Sequence, residues 1–135
     1  MPANIVILGG GFGGLFTALE VAGSGNVTLV NEVDHFLFTP MLYEYLSGEV
    51  EAWHIAPTYG ELLDDNVRLI QRPVSAVDVT NQTVTLENYP EKLNYHVLVL
   101  ALAGITNYWG IGGAEQHCLP FRKLAHADAL RQRMV

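Results

Sequence analysis

The chain has 135 residues, half of them apolar, and a formal net charge of −7 at pH 7, which is enough sequence for one domain with a buried core. The acidic balance, without any cluster of Lys or Arg, argues against nucleic-acid binding. The single cysteine excludes an intrachain disulfide, and the longest apolar run, residues 97–103, is far too short for a transmembrane helix.

The N-terminal stretch predicts a βαβ unit. Residues 4–8 are a continuous apolar run rich in β-branched side chains, which indicates a strand buried on both faces of a parallel sheet. Glycines follow, and residues 15–22 predict a helix that ends at the Gly-Ser-Gly-Asn of residues 23–26. Residues 27–30 predict a second buried strand, so the unit spans roughly thirty residues, as this motif requires.

The middle of the chain is less regular. Residues 35–56 are rich in aromatic side chains, and we expect only a short helix there, at residues 41–46. Pro57 fits the first position of a helix that runs to residue 63. A third strand is predicted at residues 67–71.

The remaining segments predict a hairpin, a strand and a helix. Residues 74–79 and 83–86 alternate with some polar positions, so we expect a hairpin that lies off the main sheet. Residues 95–102 predict another buried strand, and residues 105–119 predict a glycine-rich loop. An amphipathic helix is expected over residues 122–134.

A glycine motif lies between the first strand and the first helix. Gly9, Gly11 and Gly14 satisfy the pattern GxGxxG, with Phe12 and Gly13 inside it. The first glycine allows a tight turn, the second lets the backbone approach a pyrophosphate, and the third lets the helix pack on the strand. Because the motif sits within a predicted βαβ unit, it predicts a dinucleotide site; the alternative is a glycine-rich turn that binds no ligand.

An acidic residue is expected at the end of the second strand, where it would bind ribose hydroxyls. The chain offers Asn31 directly after the strand and Glu32 one position later. Successive strand residues point to opposite faces, so only one of them would reach the ribose. Alternatively, Glu32 and Asp34 are solvated loop charges.

No other motif predicts a metal or a covalent catalytic group. His117 and Cys118 are adjacent, but no CxxC or HxxxH spacing accompanies them, so we expect no metal site. Residues 1–4 carry no basic stretch, and we therefore expect no signal peptide.

The chain resembles the N-terminal part of type II NADH dehydrogenases, which are FAD-dependent NADH:quinone oxidoreductases attached peripherally to membranes. The resemblance rests on the glycine stretch IVILGGGFGGLFTAL, on LNYHVLVLALAGITN and LPFRKL, and above all on FLFTPMLYEYLSGEVE. It implies a Rossmann-type, three-layer α/β domain for FAD/NAD(P) binding, with a parallel sheet and a small β-hairpin or meander, incomplete at its C-terminus. It also implies that the glycine motif binds the ADP part of FAD.

The resemblance assigns further residues. Thr39 and Pro40 would lie near the isoalloxazine ring, and Val74 would lie by the adenine. The loop containing Ala103, Gly104 and Thr106 would approach the pyrophosphate. Tyr43 and Glu44 are candidates for the quinone side, although tyrosines in such a segment more often serve packing.

The resemblance also predicts the domain organisation. Residues 1–118 would be a partial FAD-binding domain and residues 119–135 a connecting helix, with the NADH-binding domain and the membrane-binding region absent. We expect a cytoplasmic protein, with or without peripheral attachment to the inner face of a membrane. Two alternatives stay open: a non-catalytic dinucleotide-binding remnant, and a half-domain whose uncovered sheet edge is completed by a partner chain or by self-association.

Overall fold

A computed structural model describes residues 1–134 of the chain. The chain forms two compact units. The first consists of Met1–Phe36 and Thr58–Ala103, and the second consists of Leu37–Pro57 and the chain from Gly104 onward.

The first unit is built on a four-stranded parallel sheet. Its strands are β1 (Asn4–Leu8), β2 (Asn26–Asn31), β3 (Val67–Gln71) and β7 (Val97–Leu100), in the order β3-β2-β1-β7. Helix α1 (Phe12–Glu20) connects β1 to β2. The predicted βαβ unit is confirmed, but α1 begins three residues earlier than expected and takes two glycines into its first turn.

The two faces of β1 explain why the sequence reads as a continuous apolar run. Ile5 and Ile7 pack with Leu15 and Ala18 of α1 in one buried cluster. Val6 and Leu8 belong to a second cluster on the opposite side of the sheet. Because each face of the strand is covered from Ile5 to Leu8, none of these four positions tolerates a polar side chain at low cost.

The second cluster is covered by a three-stranded antiparallel sheet. It consists of β4 (Val74–Asp78), β5 (Thr83–Leu86) and β6 (Leu93–Asn94), in the order β4-β5-β6. The predicted hairpin off the main sheet is therefore confirmed, and α1, the parallel sheet and this meander make three layers.

Two of the predicted element boundaries need correction. Pro57 is not the first residue of a helix: α4 (Tyr59–Leu62) begins after Thr58, which forms a reciprocal capping box with Glu61. The predicted buried strand of residues 95–102 pairs only over Val97–Leu100. The strand β7 lies at the edge of the sheet, and its end residues are exposed because no strand in the described part of the chain covers its outer side.

The second unit is helical. A 3₁₀ turn at Thr39–Met41 leads into α2 (Leu42–Ser47), which confirms the short helix expected there. The other helices are α3 (Ala52–Ile55), α5 (Ala114–His117) and α6 (Leu124–Met134). Helices α3 and α5 were not predicted, and α5 interrupts the loop expected over residues 105–119.

The core of the second unit joins α2 to α6. Its buried residues are Leu42, Tyr45, Ile55 and Ala127. The C-terminal helix begins two residues later than predicted and buries only Ala127 fully. None of the helices described is long and apolar enough to cross a membrane.

Candidate functional site

Gly9 makes the turn out of β1. Its φ is +100°, and a Cβ there would overlap the carbonyl oxygen of Ala101, the residue after β7. The Gly9 N–H donates to the carbonyl oxygen of Val30 at 2.8 Å. Only glycine fits both the left-handed conformation and the close approach, as the sequence pattern predicts.

Gly14 brings the start of α1 against the same turn. A Cβ on Gly14 would overlap the carbonyl oxygen of Gly9 and lie 3.4 Å from the Cβ of Ala101. Gly13 is less tightly enclosed, since an added Cβ there would lie 3.8 Å from the Cβ of Ala101. The third glycine of the motif therefore has the predicted role of close helix–strand packing.

Gly11 differs from its neighbours because the space beside it is open. A Cβ on Gly11 would meet no atom of the described chain within 4 Å. The residue is the N-cap of α1, with an ordinary φ of −71°, and no described side chain caps the helix. The fold thus gives no internal reason for a glycine here, and a ligand that approaches the backbone would supply one.

The open space lies at the N-terminus of a nine-residue helix. The first amides of such a helix have no partner within it, and the helix dipole adds partial positive charge at this end. This combination favours a phosphate or another anion. The geometry therefore fits the pyrophosphate of a dinucleotide.

Asn31 is held by hydrogen bonds within the chain. Its Oδ1 accepts from the Gly10 N–H at 3.0 Å. Its Nδ2 donates to the Val33 carbonyl oxygen at 3.1 Å and to the Tyr59 hydroxyl at 3.1 Å. Glu32, the other ribose candidate, is exposed.

Tyr59 is a site residue that the sequence did not reveal. Its side chain is only 1% exposed, and its hydroxyl donates to the Gly10 carbonyl oxygen at 2.6 Å. Burial raises the pKa of Tyr59 to about 12. The Tyr59 N–H donates to the Asp34 carbonyl oxygen at 2.9 Å, which ties α4 to the end of β2. The capping-box spacing of Thr58 and Glu61 was the available signal for this helix.

Two further predicted site residues lie in the first unit. Val74 is the first residue of β4, pairs with Leu86, and packs on the cluster under the antiparallel sheet. Ala103 is exposed in the segment after β7. Their contact with a nucleotide stays a prediction.

The remaining candidates lie in the second unit. Thr39 and Pro40 are exposed residues of the 3₁₀ turn, and Tyr43 is exposed on α2. The Glu44 carboxylate, as hydrogen-bond partner and as a neighbouring charge, raises the pKa of Tyr43. Atom Oε2 of Glu44 is buried without a hydrogen-bond partner among the described residues.

Gly104 and Thr106 lie in the segment before α5. Gly104 is exposed, and an added Cβ would approach only Arg122, whose Nη2 lies at 3.7 Å. Thr106 is half-buried. Within the described residues, no group of three or more His, Cys, Asp or Glu side chains could hold a metal ion.

Comparison with known protein families gives a match over almost the whole chain. The family described as pyridine nucleotide-disulphide oxidoreductase matches residues 3–135. Among solved structures, NDH2 from Plasmodium falciparum in complex with NADH superposes with a TM-score of 0.91 at 25% identity. That match covers 98% of this chain and 29% of the other.

Characterised relatives are considerably longer than this chain. Demethylphylloquinone reductase NdbB of Synechocystis sp. is 40% identical over 97% of this chain, which covers 35% of that protein. An alternative NAD(P)H-ubiquinone oxidoreductase of Arabidopsis thaliana is 36% identical, and the match covers 97% of this chain and 29% of the relative. The chain therefore spans about a third of the length of the relatives that it matches.

Proposed function

Because the chain belongs to the pyridine nucleotide-disulphide oxidoreductase family, we propose that it is the FAD-binding portion of a flavoprotein that passes electrons from NADH to a quinone. The predicted resemblance to type II NADH dehydrogenases and the predicted Rossmann-type fold are confirmed. Members of this family depend on FAD. We propose NADH and a quinone as the substrates because longer relatives of the chain are named as NAD(P)H:quinone oxidoreductases.

One observation carries the proposal: Gly11 faces open space at the N-terminus of α1, while Gly9 and Gly14 are enclosed by the chain itself. Two glycines of the motif thus serve the fold, and the third leaves room where phosphates bind best. We assign this space to the pyrophosphate of FAD. When bound, FAD would supply the two-electron carrier, and the protein would orient it.

Other residues complete the proposed assignment. In the first unit, Val74 would contact the adenine and Ala103 the pyrophosphate. By the same resemblance, Thr39 and Pro40 would lie at the flavin ring, and Gly104 and Thr106 at the phosphates. Tyr43 and Glu44 would lie at the quinone side.

The proposed division is a FAD-binding part over residues 1–118 and a connecting helix over residues 119–135. A cytoplasmic location follows from the same resemblance, with or without peripheral attachment to the inner face of a membrane.

A half-domain completed by another chain is the second candidate function. The observation that favours it is the exposed edge strand β7, which a strand from a partner chain or a second copy could cover. In that case turnover of NADH would depend on what the added chain supplies.

The visible absorption spectrum of the purified chain tests the proposal. The chain is mixed with FAD and passed through gel filtration, and the flavin bands are followed in the protein peak. Retained flavin that NADH bleaches supports the oxidoreductase. Retained flavin that NADH does not bleach favours a chain that binds the cofactor without turning NADH over by itself. Absence of flavin contradicts independent cofactor binding.

A Gly11→Val variant makes this test specific. Because the site beside Gly11 is open and its φ suits any residue, the variant should keep its fold, with a loss of only about 1 kcal/mol because valine is a poorer N-cap than glycine, but it should retain no flavin. Gly112→Val is the matched control, since the space beside Gly112 is also open. Equal flavin retention by the two variants would contradict the assigned phosphate position.

A further inference from the structure

The peptide group of Gly10 is held from both of its polar ends. The Gly10 N–H donates to Asn31 Oδ1 at 3.0 Å, and the Gly10 carbonyl oxygen accepts from the Tyr59 hydroxyl at 2.6 Å. A third hydrogen bond, from Asn31 Nδ2 to the Tyr59 hydroxyl oxygen at 3.1 Å, closes a ring. All three residues belong to the first unit. We call this arrangement the Gly10 clamp.

Backbone groups fix the direction of every proton in the clamp. The Gly10 N–H can only donate, so it must face the amide oxygen of Asn31. The Val33 carbonyl can only accept, so at 3.1 Å it must face the amide nitrogen. With the amide oriented in this way, the Tyr59 hydroxyl accepts from Asn31 and gives its own proton to Gly10.

The clamp is buried on one side and packed without spare room. Gly10 is buried, and Tyr59 is 1% exposed. A Cβ on Gly10 would overlap the Tyr59 hydroxyl. A lost partner would therefore leave a buried polar group unsatisfied, which costs more than an exposed hydrogen bond would contribute.

Asn31 has little capacity left for a ligand. Both of its amide protons are donated within the chain, and its oxygen already accepts from Gly10. A ribose hydroxyl pair is bound best by a free, charged acceptor, whereas Asn31 has left only the second lone pair of an uncharged amide oxygen.

We propose that Asn31 and Tyr59 are positioning residues that hold the Gly10 peptide in the nucleotide loop, and that the Asn31 side chain does not serve as the ribose ligand. This inference rests on the proposed FAD-binding function. It differs from the usual pattern, in which the residue at the end of the second strand binds the ribose directly. Position 31 then requires an amide rather than a carboxylate, because the side chain must accept and donate at once.

The direction in which Asn31→Asp changes FAD affinity distinguishes a positioning residue from a residue that binds the ribose directly. In Asn31→Asp the carboxylate still accepts from Gly10, but its second oxygen meets the Val33 carbonyl and withdraws the Tyr59 proton from Gly10. FAD binding should weaken about tenfold or more. A residue 31 that bound the ribose directly would instead give tighter binding as an acid, through charge-assisted hydrogen bonds.

Tyr59→Phe completes the binding test. Tyr59→Phe should weaken FAD binding about tenfold, and its combination with Asn31→Asp should cost less than the sum of the two, because they disrupt one network. Tighter binding by Asn31→Asp, or wild-type binding by Tyr59→Phe, would overturn the proposal.

Matched controls exist for both clamp residues. Asn26→Asp makes the same change at the other end of β2, where the Asn26 side chain donates to Asn4 Oδ1 at 3.0 Å, away from the glycine loop. Tyr89→Phe removes a hydroxyl that bonds Arg68 and not the glycine loop. Both should bind FAD like the wild type. If these controls lose as much FAD affinity as the clamp variants, the proposal is overturned, because removing any such hydrogen bond would then weaken FAD binding.

A ligand-free measurement keeps the clamp testable by itself. Hydrogen exchange of the Gly10 amide, resolved by NMR, should be at least about tenfold faster in Asn31→Ala, while amides of β1 stay protected. Unchanged exchange at Gly10 would overturn the clamp. If the wild type binds no FAD and the Gly10 amide still responds, the proposed function fails and the clamp stands.

Discussion

Tyr59 is the residue at which pH should act on stability. Burial disfavours the charged phenolate and raises the pKa of Tyr59 to about 12, above the ordinary value of 10. The folded state therefore holds this proton more tightly than the unfolded chain does. Its contribution to stability is complete below pH 10 and is lost as the pH rises from 10 towards 12.

The predicted loss of stability at alkaline pH can be measured by comparing the unfolding free energies of the wild type and Tyr59→Phe. The wild type should lose about 2–3 kcal/mol of unfolding free energy over this range through Tyr59 alone. Tyr59→Phe, although less stable at neutral pH, should lack this step, so the gap between the two proteins should narrow above pH 10. Urea unfolding at a series of pH values tests this, and a constant gap would contradict it.

The glycines offer a second prediction at the same scale. Gly9→Ala should destabilise the fold by more than about 3 kcal/mol, since the Cβ would overlap the Ala101 carbonyl oxygen at a φ of +100°. Gly23→Ala is the matched control, with a φ of +85° but open space around the added atom. It should cost only about 1 kcal/mol. Equal losses in thermal unfolding would mean that strain alone, without the contact, explains the requirement at Gly9.

The sequence predicted the turn at Gly9 and the close packing at Gly14. It did not predict the clamp, because the clamp residues lie far apart in the sequence. Gly9, Gly11 and Gly14 belong to one local pattern with known geometric demands. Tyr59 lies 49 positions from Gly10, and nothing around it distinguishes a core tyrosine from a positioning one. The sequence identified Asn31 as a candidate site residue, but its hydrogen-bond partners depend on the three-dimensional arrangement of β1, β2 and α4.

At the scale of elements, local chemistry explains which boundaries could be predicted. The strands β1 and β3 match their predicted bounds because their apolar runs are flanked by residues that do not continue them. Helix α4 begins after Thr58 because the capping box supplies partners for the first amides, which Pro57 cannot do. The exposure of β7 could not be predicted, since its apolar sequence carries no information about how many of its sides are paired.

The contact between α2 and α6 gives the element-scale prediction. The Tyr45 hydroxyl donates to Asp128 Oδ1 at 2.5 Å, and the Arg131 guanidinium lies 5.1 Å from the centroid of the Tyr45 ring. Tyr45→Phe should cost the second unit about 1–2 kcal/mol and speed amide exchange along α6. Tyr43→Phe changes an exposed tyrosine of the same helix and should leave α6 protected. Loss of protection in both variants would refute the role of the hydrogen bond.

At the scale of the whole molecule, we expect the exposed edge strand to be the contact through which copies of the chain associate. On β7, Val97 is 49% exposed and Leu100 is 66% exposed, and the outer backbone groups of the strand face no described strand. Such an edge is a template for another strand. The net charge of −7 opposes association between copies, so the chain should associate more strongly as the salt concentration rises.

Sedimentation velocity at increasing protein and salt concentration tests this prediction. The wild type should sediment faster as either concentration rises, whereas Leu100→Lys should stay monomeric, because a charge on an edge strand opposes pairing with another edge. Val79→Lys adds the same charge at an exposed residue between β4 and β5, and it should associate like the wild type. If Val79→Lys also abolishes association, the effect is not specific to β7 and the β7 edge is not the contact; charge repulsion cannot explain such a loss, because the added lysine lowers the net negative charge. If Leu100→Lys alone abolishes it, the copies meet through β7, and the same edge is then available to any strand that completes the sheet.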